Sequence, residues 1–189
     1  MGKVYEEIDE KLARFIADQR MFFVGTAPNN PDGRLNVSPK GHDTFRVLGP
    51  KTVGYLDLTG SGVETIAHLR ENGRMTIMFC AFEGRPLILR LQGRGRVVEP
   101  RDDEWATLSP RFPDTPGARA VIVLEVERIA DSCGFSIPLY DYQGERTQLI
   151  DFAVKKGEDG LEAYRRQKNV ASIDGLPGLE PSEATADER

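Results

Sequence analysis

The chain has 189 residues, of which 39% are hydrophobic and 29% charged, the length and balance expected of one soluble domain. Its net charge of −5 argues against a general nucleic-acid binder, because that role requires a basic surface. No apolar run reaches the ~18 residues of a membrane span, and the acidic N-terminus lacks the apolar core of a secretory signal. We therefore expect a cytoplasmic protein that binds neither nucleic acid nor membrane.

The cysteines and histidines offer no metal motif. Cys80 and Cys133 are far apart, and His42 and His68 are not at the clustered spacing of a zinc site. In a chain without an export signal, two lone cysteines indicate reduced thiols. The sequence predicts no metal and leaves the roles of His42 and Cys133 open.

The first half of the chain predicts two helices and two hairpins. Apolar residues recur at helical spacing over residues 5–18, and a second helix over 64–72 is followed by Gly73 at the position that ends helices. Short apolar runs separated by turn signals predict strands, which we pair as two hairpins. These strands are residues 21–27 with 35–40, and 44–48 with 52–58.

The second half continues the β pattern and ends in helix. Within residues 86–98, leucines alternate with polar residues, so leucines and arginines should lie on opposite faces of one strand. Gly93 and Gly95 continue the leucine face, which indicates that a neighbour approaches closely there. Further elements are expected at 75–82 (strand), 101–108 (helix), 120–129 (strand) and 147–168 (one broken helix or two).

The strands come in hairpin pairs rather than βαβ units, and no GxGxxG follows the first strand, which disfavours a Rossmann sheet. We predict a mainly β fold with peripheral helices, an antiparallel barrel that is closed or partly closed. Residues 1–178 would form this single domain, with an N-terminal helix and a C-terminal helical extension. Residues 179–189 are acidic and poor in apolar side chains, which predicts a disordered tail.

Three clusters could bind a ligand. In the first, residues 35–41, the strand ends in Ser-Pro-Lys-Gly, so its backbone either faces a planar ligand or forms an ordinary edge strand and turn. In the second, residues 58–65, small residues and hydroxyls precede a helix, which suits phosphate or simple capping by Ser61 or Thr59. In the third, Arg90 lies mid-strand, where it either meets an anion inside the barrel or faces solvent.

These stretches resemble the pyridoxamine 5′-phosphate oxidase-like family, the flavin-binding split barrels. The resemblance is carried by LNVSPKGHDTF (35–45), VGYLDLTGSGVETIAHLRENGRMTIMFCAF (53–82) and LRLQGRGRVVE (89–99). SCGFSIPLYDY (132–142) and AYRRQKNVASIDGLPG (163–178) resemble the C-terminal part of a bacterial branch, so the likeness spans roughly residues 5–178.

The resemblance implies a six-stranded antiparallel split β-barrel that forms a homodimer, with FMN at the interface and each site built from both chains. By position, the backbone of Asn36, Val37 and Ser38 would contact the flavin ring, and Lys40 would lie near its edge. The strand end at Leu58 and Thr59 would contact the ribityl-phosphate.

One departure concerns the phosphate, because the basic pair of the family falls on Glu64 and Thr65. Phosphate binding would then depend on Ser61, Thr65, backbone amides, and Arg90 or Lys40. This departure leaves the cofactor F420 open beside FMN.

The implied function is an FMN-dependent oxidoreductase that transfers hydride through flavin N5 on an unidentified small molecule. A true pyridoxamine phosphate oxidase is not expected, because the C-terminal part lacks a Trp- and Arg-containing counterpart of the substrate-binding segment. The alternative is a non-catalytic split-barrel protein that binds flavin, F420 or haem. For haem, His42 beside the expected flavin edge is a better candidate than His68.

Overall fold

An antiparallel sheet organises the protein in its computed structural model, which describes residues 2–180. The strands are β1 (Val4–Tyr5), β2 (Phe22–Thr26), β3 (Asn36–Lys40), β4 (Phe45–Gly49), β5 (Thr52–Leu58), β6 (Arg74–Cys80), β7 (Ile88–Val98) and β8 (Ala118–Ser132). The helices are α1 (Glu10–Asp18), α2 (Glu64–Asn72), α3 (Trp105–Leu108) and α4 (Gln148–Lys168), and a 3-10 turn covers Ser109–Arg111.

The strand order places two edges beside an open seam. Seven strands follow the order β3-β2-β6-β7-β8-β5-β4, and β1 pairs with β8, so that β3 and β4 are the edges. The sheet is open, which confirms the expected mainly β split barrel. The sheet has eight strands, whereas the resemblance implied six. The longest is β8, whose fifteen residues pair with β7, β5 and the two-residue β1.

The core confirms the alternation predicted along β7. Leu89 and Leu91 are fully buried, whereas Arg94 and Arg96 are exposed. A Cβ on Gly95 would lie 2.7 Å from Cδ2 of Leu69, so the missing side chain lets α2 pack against the sheet.

Helix α2 has the predicted bounds, and Gly73 ends it in the left-handed conformation at φ 68°. Helix α1 starts later than predicted, at Glu10 instead of residue 5. The reason is that Asp9 caps the helix by accepting from the amide of Leu12 at 2.8 Å, while Val4–Tyr5 pairs with β8.

The C-terminal part differs from the expectation at its boundary. Helix α4 is interrupted at Gly157, with φ 63° and ψ 174°, as a broken helix requires. The predicted tail begins too early, because Leu179 is buried in the core and its amide donates to the carbonyl of Asn169 at 2.7 Å. Residues 181–189 of that tail lie outside the described residues.

No helix within residues 2–180 is both long enough and apolar enough to span a membrane. The cytoplasmic location stays a prediction.

Candidate functional site

A cavity of about 1560 Å³ lies at the open seam of the sheet. One wall is the edge strand β3, whose single partner among the strands of residues 2–180 is β2. Another wall is the end of β5: β4 pairs with β5 only as far as Tyr55, and the amide of Leu56 donates to the carbonyl of Thr44 at 2.9 Å, so Asp57 and Leu58 have no partner on that side among the described residues. Two strand edges without a strand partner therefore border the cavity, and their backbone groups other than the Leu56 amide are available to a ligand.

A buried carboxylate joins the two edges. Lys40 of β3 donates to Asp57 of β5 at 2.8 Å, and Nε of Arg119 in β8 donates to the other carboxylate oxygen at 2.7 Å. Asp57 is 1% exposed, and all three side chains belong to residues that line the cavity. Burial alone would raise the pKa of Asp57, but Arg119 and Lys40 lower it to about 2. The three ionised groups thus place a net positive charge at the seam.

Asn36 is held by a polar network behind the cavity wall. Its amide nitrogen donates to the hydroxyls of Thr26 at 3.2 Å and Thr65 at 3.0 Å. The Thr26 hydroxyl lies 2.9 Å from Nδ1 of His68, and burial lowers the pKa of this histidine, which favours its neutral form. Asn36 lines the cavity, and with its NH₂ group engaged its amide oxygen keeps the capacity to accept a hydrogen bond.

The loop of residues 59–62 is held from behind by two buried side chains. Nη2 of Arg119 donates to the carbonyl of Gly62 at 2.8 Å, and Nδ2 of Asn169 donates to that of Gly60 at 3.0 Å. Arg119 also donates to Oδ1 of Asn169 at 2.9 Å. Arg119 is 6% exposed and Asn169 is fully buried, so the loop has a rigid support.

Two predicted loop residues do not reach the cavity. The hydroxyl of Thr59 donates to the carbonyl of Gly117 at 2.8 Å and accepts from Nε of Arg165 at 2.9 Å, so it fixes the loop. Ser61 is exposed and outside the cavity lining. Neither residue caps α2, because the N-cap position is Val63 and no side chain in the described part of the chain caps this helix.

Arg90 is also placed away from the cavity. Because Leu89 and Leu91 face the core, Arg90 points to the opposite side of β7, where it donates to the hydroxyl of Ser132 at 2.9 Å. Of the two alternatives for Arg90, the structure therefore has the one in which its side chain is directed away from the barrel interior. Val37 is likewise 71% exposed and outside the lining. The structure does bring together Asn36, Ser38, Lys40, Leu58 and Thr65.

Glu64 stands at the loop end of the cavity, in the first turn of α2. One of its carboxylate oxygens accepts from the amide of Ile173 at 3.3 Å. A carboxylate at a helix N-terminus occupies the place that an anionic ligand would favour. It therefore opposes a phosphate at this end of the cavity.

A segment without helix or strand, residues 133–147, borders the remaining side of the cavity. Tyr140 stacks on Phe82 with ring centroids 5.3 Å apart, and its amide donates to the carbonyl of Phe82 at 2.9 Å. Glu145 accepts from the hydroxyl of Tyr142 at 2.7 Å and from the amide of His42 at 3.3 Å. These contacts tie the segment to the cavity rim.

The histidines and cysteines differ in access. His42 lines the cavity in the left-handed conformation at φ 60°, whereas His68 is 1% exposed. Cys80 is buried and Cys133 exposed, and both are free thiols. Within residues 2–180, no three or more His, Cys, Asp or Glu side chains are grouped to hold a metal ion.

Comparison with known proteins places this site in a family. The family model described as pyridoxamine 5′-phosphate oxidase matches residues 8–133. The pyridoxamine 5′-phosphate oxidase family protein ustO of Aspergillus flavus is 43% identical over 195 residues, which cover 93% of this chain and 77% of ustO. The chain belongs to the pyridoxamine 5′-phosphate oxidase family.

Solved structures agree on the fold of this family member. A crystal structure of a substituted form of HupZ from Group A Streptococcus is 25% identical with a TM-score of 0.54, covering 66% of this chain and 99% of HupZ. A second HupZ structure has the same TM-score at 23% identity and covers 71% of this chain and 99% of that one. Both likenesses support the split-barrel architecture.

Sequence reasoning missed three residues of the site in this family member. Asp57 and Arg119 are charged residues inside apolar strands, and such an interruption is a signal that could have identified them. Asn169 lies in a polar stretch beyond the match to the family model, and nothing local distinguishes it.

Proposed function

We propose that the protein is a flavin-dependent oxidoreductase that binds FMN at the seam between β3 and β5 and acts on a small molecule. The observation that carries this proposal is the pair of unpaired strand edges beside one cavity, with the Lys40 ammonium between them. A planar heterocycle with donors and acceptors along its rim is the ligand that such edges suit.

The described residues fit the ring of a flavin. The side chains of Asn36 and Ser38 and the backbone of β3 offer donors and acceptors along one wall, and Leu56 and Leu58 add apolar surface on the other. Lys40 would place a positive charge beside the ring. The volume of about 1560 Å³ exceeds what a flavin needs, which leaves room for a substrate or a second chain.

The loop end fits a phosphate through its backbone. Gly60 and Gly62 line the cavity without side chains, and the first amides of α2 lack a side-chain cap. The hydroxyl of Thr65 adds a polar group, whereas Glu64 opposes a phosphate. We therefore expect FMN to bind more tightly than a flavin without phosphate, but with a smaller difference in affinity than a basic pair would provide.

When bound, a flavin supplies hydride exchange at its N5. The protein then has to bind the flavin, orient it and shield it from water. The β3 edge, Lys40 and residues 133–147 border the cavity and are placed for these tasks. No acid or base of the chain is required for hydride transfer itself.

We further propose that the site is completed in a homodimer. Large apolar side chains stand exposed on β3 and its approach and on residues 133–147 beside the cavity: Leu35 is 77%, Val37 71%, Phe135 82% and Leu139 75% exposed. A second copy that covered them would remove this surface from water. Sedimentation of the purified protein tests this, and a monomer at micromolar concentration would contradict a shared site.

The cofactor itself is tested by heat release from protein purified without added ligand, followed by mass measurement. FMN in the supernatant, together with the two-band visible spectrum of an oxidised flavin, is the expected result. F420 or haem would overturn the FMN assignment. If nothing is released, titration with FMN is monitored by quenching of flavin fluorescence, and the absence of saturable binding would contradict the proposal.

A further inference from the structure

A buried histidine is joined to the cavity wall through one hydroxyl group. His68 is 1% exposed, and its Nδ1 lies 2.9 Å from the hydroxyl oxygen of Thr26. The same hydroxyl oxygen accepts from Nδ2 of Asn36 at 3.2 Å. Asn36 lines the cavity, whereas His68 and Thr26 do not. The histidine therefore acts on a residue that a ligand can reach without itself touching the ligand.

Burial decides where the hydrogen of the Thr26 hydroxyl goes. Thr26 is 6% exposed, and within residues 2–180 its hydroxyl has two partners, Asn36 and His68. The NH₂ group of Asn36 can only donate, so Nδ1 of His68 is the acceptor for the hydroxyl hydrogen. Nδ1 then carries no proton, and a neutral ring holds its proton on Nε2. Burial lowers the pKa of His68 although nearby carboxylates oppose this, which agrees with a neutral ring.

The tautomer of His68 in turn fixes the amide of Asn36. A hydroxyl both donates and accepts, so the Thr65 hydroxyl, 3.0 Å from Nδ2, suits either end of this amide. The Thr26 hydroxyl does not, because its hydrogen is used by Nδ1 and its oxygen can only accept. Turning the amide would place Oδ1 against an oxygen that has no hydrogen to offer. Asn36 therefore keeps its NH₂ group toward the two threonines, and its Oδ1 is left to accept from another group.

We infer that His68 is a positioning residue that determines ligand specificity: through Thr26 it fixes Asn36 so that the cavity wall presents a hydrogen-bond acceptor. The ligand chemistry selected at the start of β3 is then an N–H or O–H group. This inference rests on the proposed function, which supplies the group in question. The oxidised ring of a flavin carries one N–H, at N3, among the acceptors on its rim, and this N–H is the partner that Asn36 suits.

The first experiment measures the tautomer and needs no ligand. Long-range nitrogen–proton NMR correlations of an imidazole ring distinguish its protonated from its unprotonated nitrogen. The chain has two histidines, and His42→Gln identifies the signals of His68 because it lacks the others. The expected result at neutral pH is a proton on Nε2 of His68 and none on Nδ1. A proton on Nδ1 would overturn the inference.

The second experiment compares FMN with N3-methyl-FMN, which lacks the N–H. The unsubstituted protein should bind FMN more tightly. In His68→Leu the Thr26 hydroxyl is free to donate to Oδ1 of Asn36, so the preference for FMN should fall by about three- to ten-fold, the equivalent of one neutral hydrogen bond. The comparison uses the ratio of the two affinities, because the bulk of the methyl group acts in both proteins. Both affinities are measured by quenching of flavin fluorescence on protein freed of bound flavin.

A matched pair at Thr26 tests the link between histidine and amide, and it replaces His68→Leu if that variant does not fold. Thr26→Val removes the hydroxyl and should reduce the preference for FMN, whereas Thr26→Ser keeps the hydroxyl and should retain it. Asn72→Ala is the control within α2. Its side chain donates to the carbonyl of Ala27 and lies outside the cavity lining, so this variant should keep the preference.

The outcomes separate the inference from the proposed function. Loss of both affinities by the same factor in His68→Leu or Thr26→Val, or an unchanged ratio, overturns the positioning role. Equal affinities of the unsubstituted protein for FMN and N3-methyl-FMN overturn it as well, while flavin binding stands. If the unsubstituted protein binds neither compound, the proposed function fails and the inference with it.

Discussion

The two ends of the cavity differ in where their polar groups come from. At the strand end, charge is provided by side chains, with Asp57 buried between Lys40 and Arg119. At the loop end, the polarity comes from the backbone, whose carbonyls bind Arg119, and Glu64 adds a negative side-chain charge. The strand end is therefore sensitive to the loss of a single carboxylate, whereas the loop end depends on how distant side chains hold the backbone.

The largest expected effect is at the strand end. Asp57→Asn should destabilise the protein by about 3–5 kcal/mol, because it leaves two cations without their buried counter-charge. The measurement is chemical unfolding at neutral pH. Asp43→Asn serves as control: its carboxylate is 73% exposed in an ion pair with Arg46, and such pairs contribute about 1 kcal/mol or less. Equal losses of unfolding free energy in the two variants would show that Asp57 contributes no more to stability than an exposed carboxylate does.

The same carboxylate predicts a pH dependence. The pKa of Asp57 is lowered from 3.8 to about 2, so its contribution is fully present above pH 4 and is lost as the pH falls through 2. The unfolding free energy should therefore fall by about 2–3 kcal/mol in this window through Asp57 alone. Asp57→Asn should lack that part of the loss. Parallel pH profiles of the two proteins would contradict the lowered pKa.

The next prediction concerns the stability that Leu179, in the segment after α4, provides near the loop end. A chain that ends at Gly178 should be less stable than one that ends at Leu179 by about 2 kcal/mol, because it lacks the stabilisation that burial of one leucine side chain provides. Thermal unfolding of both truncated chains measures the difference, and each is the control for the other. Identical midpoints would show that Leu179 is not needed to hold the segment.

The smallest effect concerns Glu64. Glu64→Gln should tighten FMN binding by about two- to five-fold, because removing a negative charge at a helix N-terminus recovers roughly 0.3–1 kcal/mol toward a phosphate. Riboflavin titration of the same variant is the control and should show no change. Weaker FMN binding would mean that Glu64 supports the loop through its bond to Ile173.

Sequence patterns predicted the local elements better than the site. The β2–β3 hairpin, α2 with Gly73 and the two faces of β7 follow from short-range periodicity and turn residues. The site joins Asp57, Arg119 and Asn169, which are more than 45 residues apart along the chain and meet only through the sheet and α4. Such long-range pairing leaves no periodic signal. The periodicity of a single strand likewise leaves open which of its faces, and hence which side of β7, carries Arg90.

Pro39 has a consequence for how this protein behaves at high concentration. It lies in β3, an exposed edge strand whose backbone could otherwise template a further strand. Because proline has no N–H, a foreign strand that aligned along β3 would find a gap in the ladder of donors. Pro39 therefore disfavours the pairing of further chains along β3, the kind of pairing that builds fibrils.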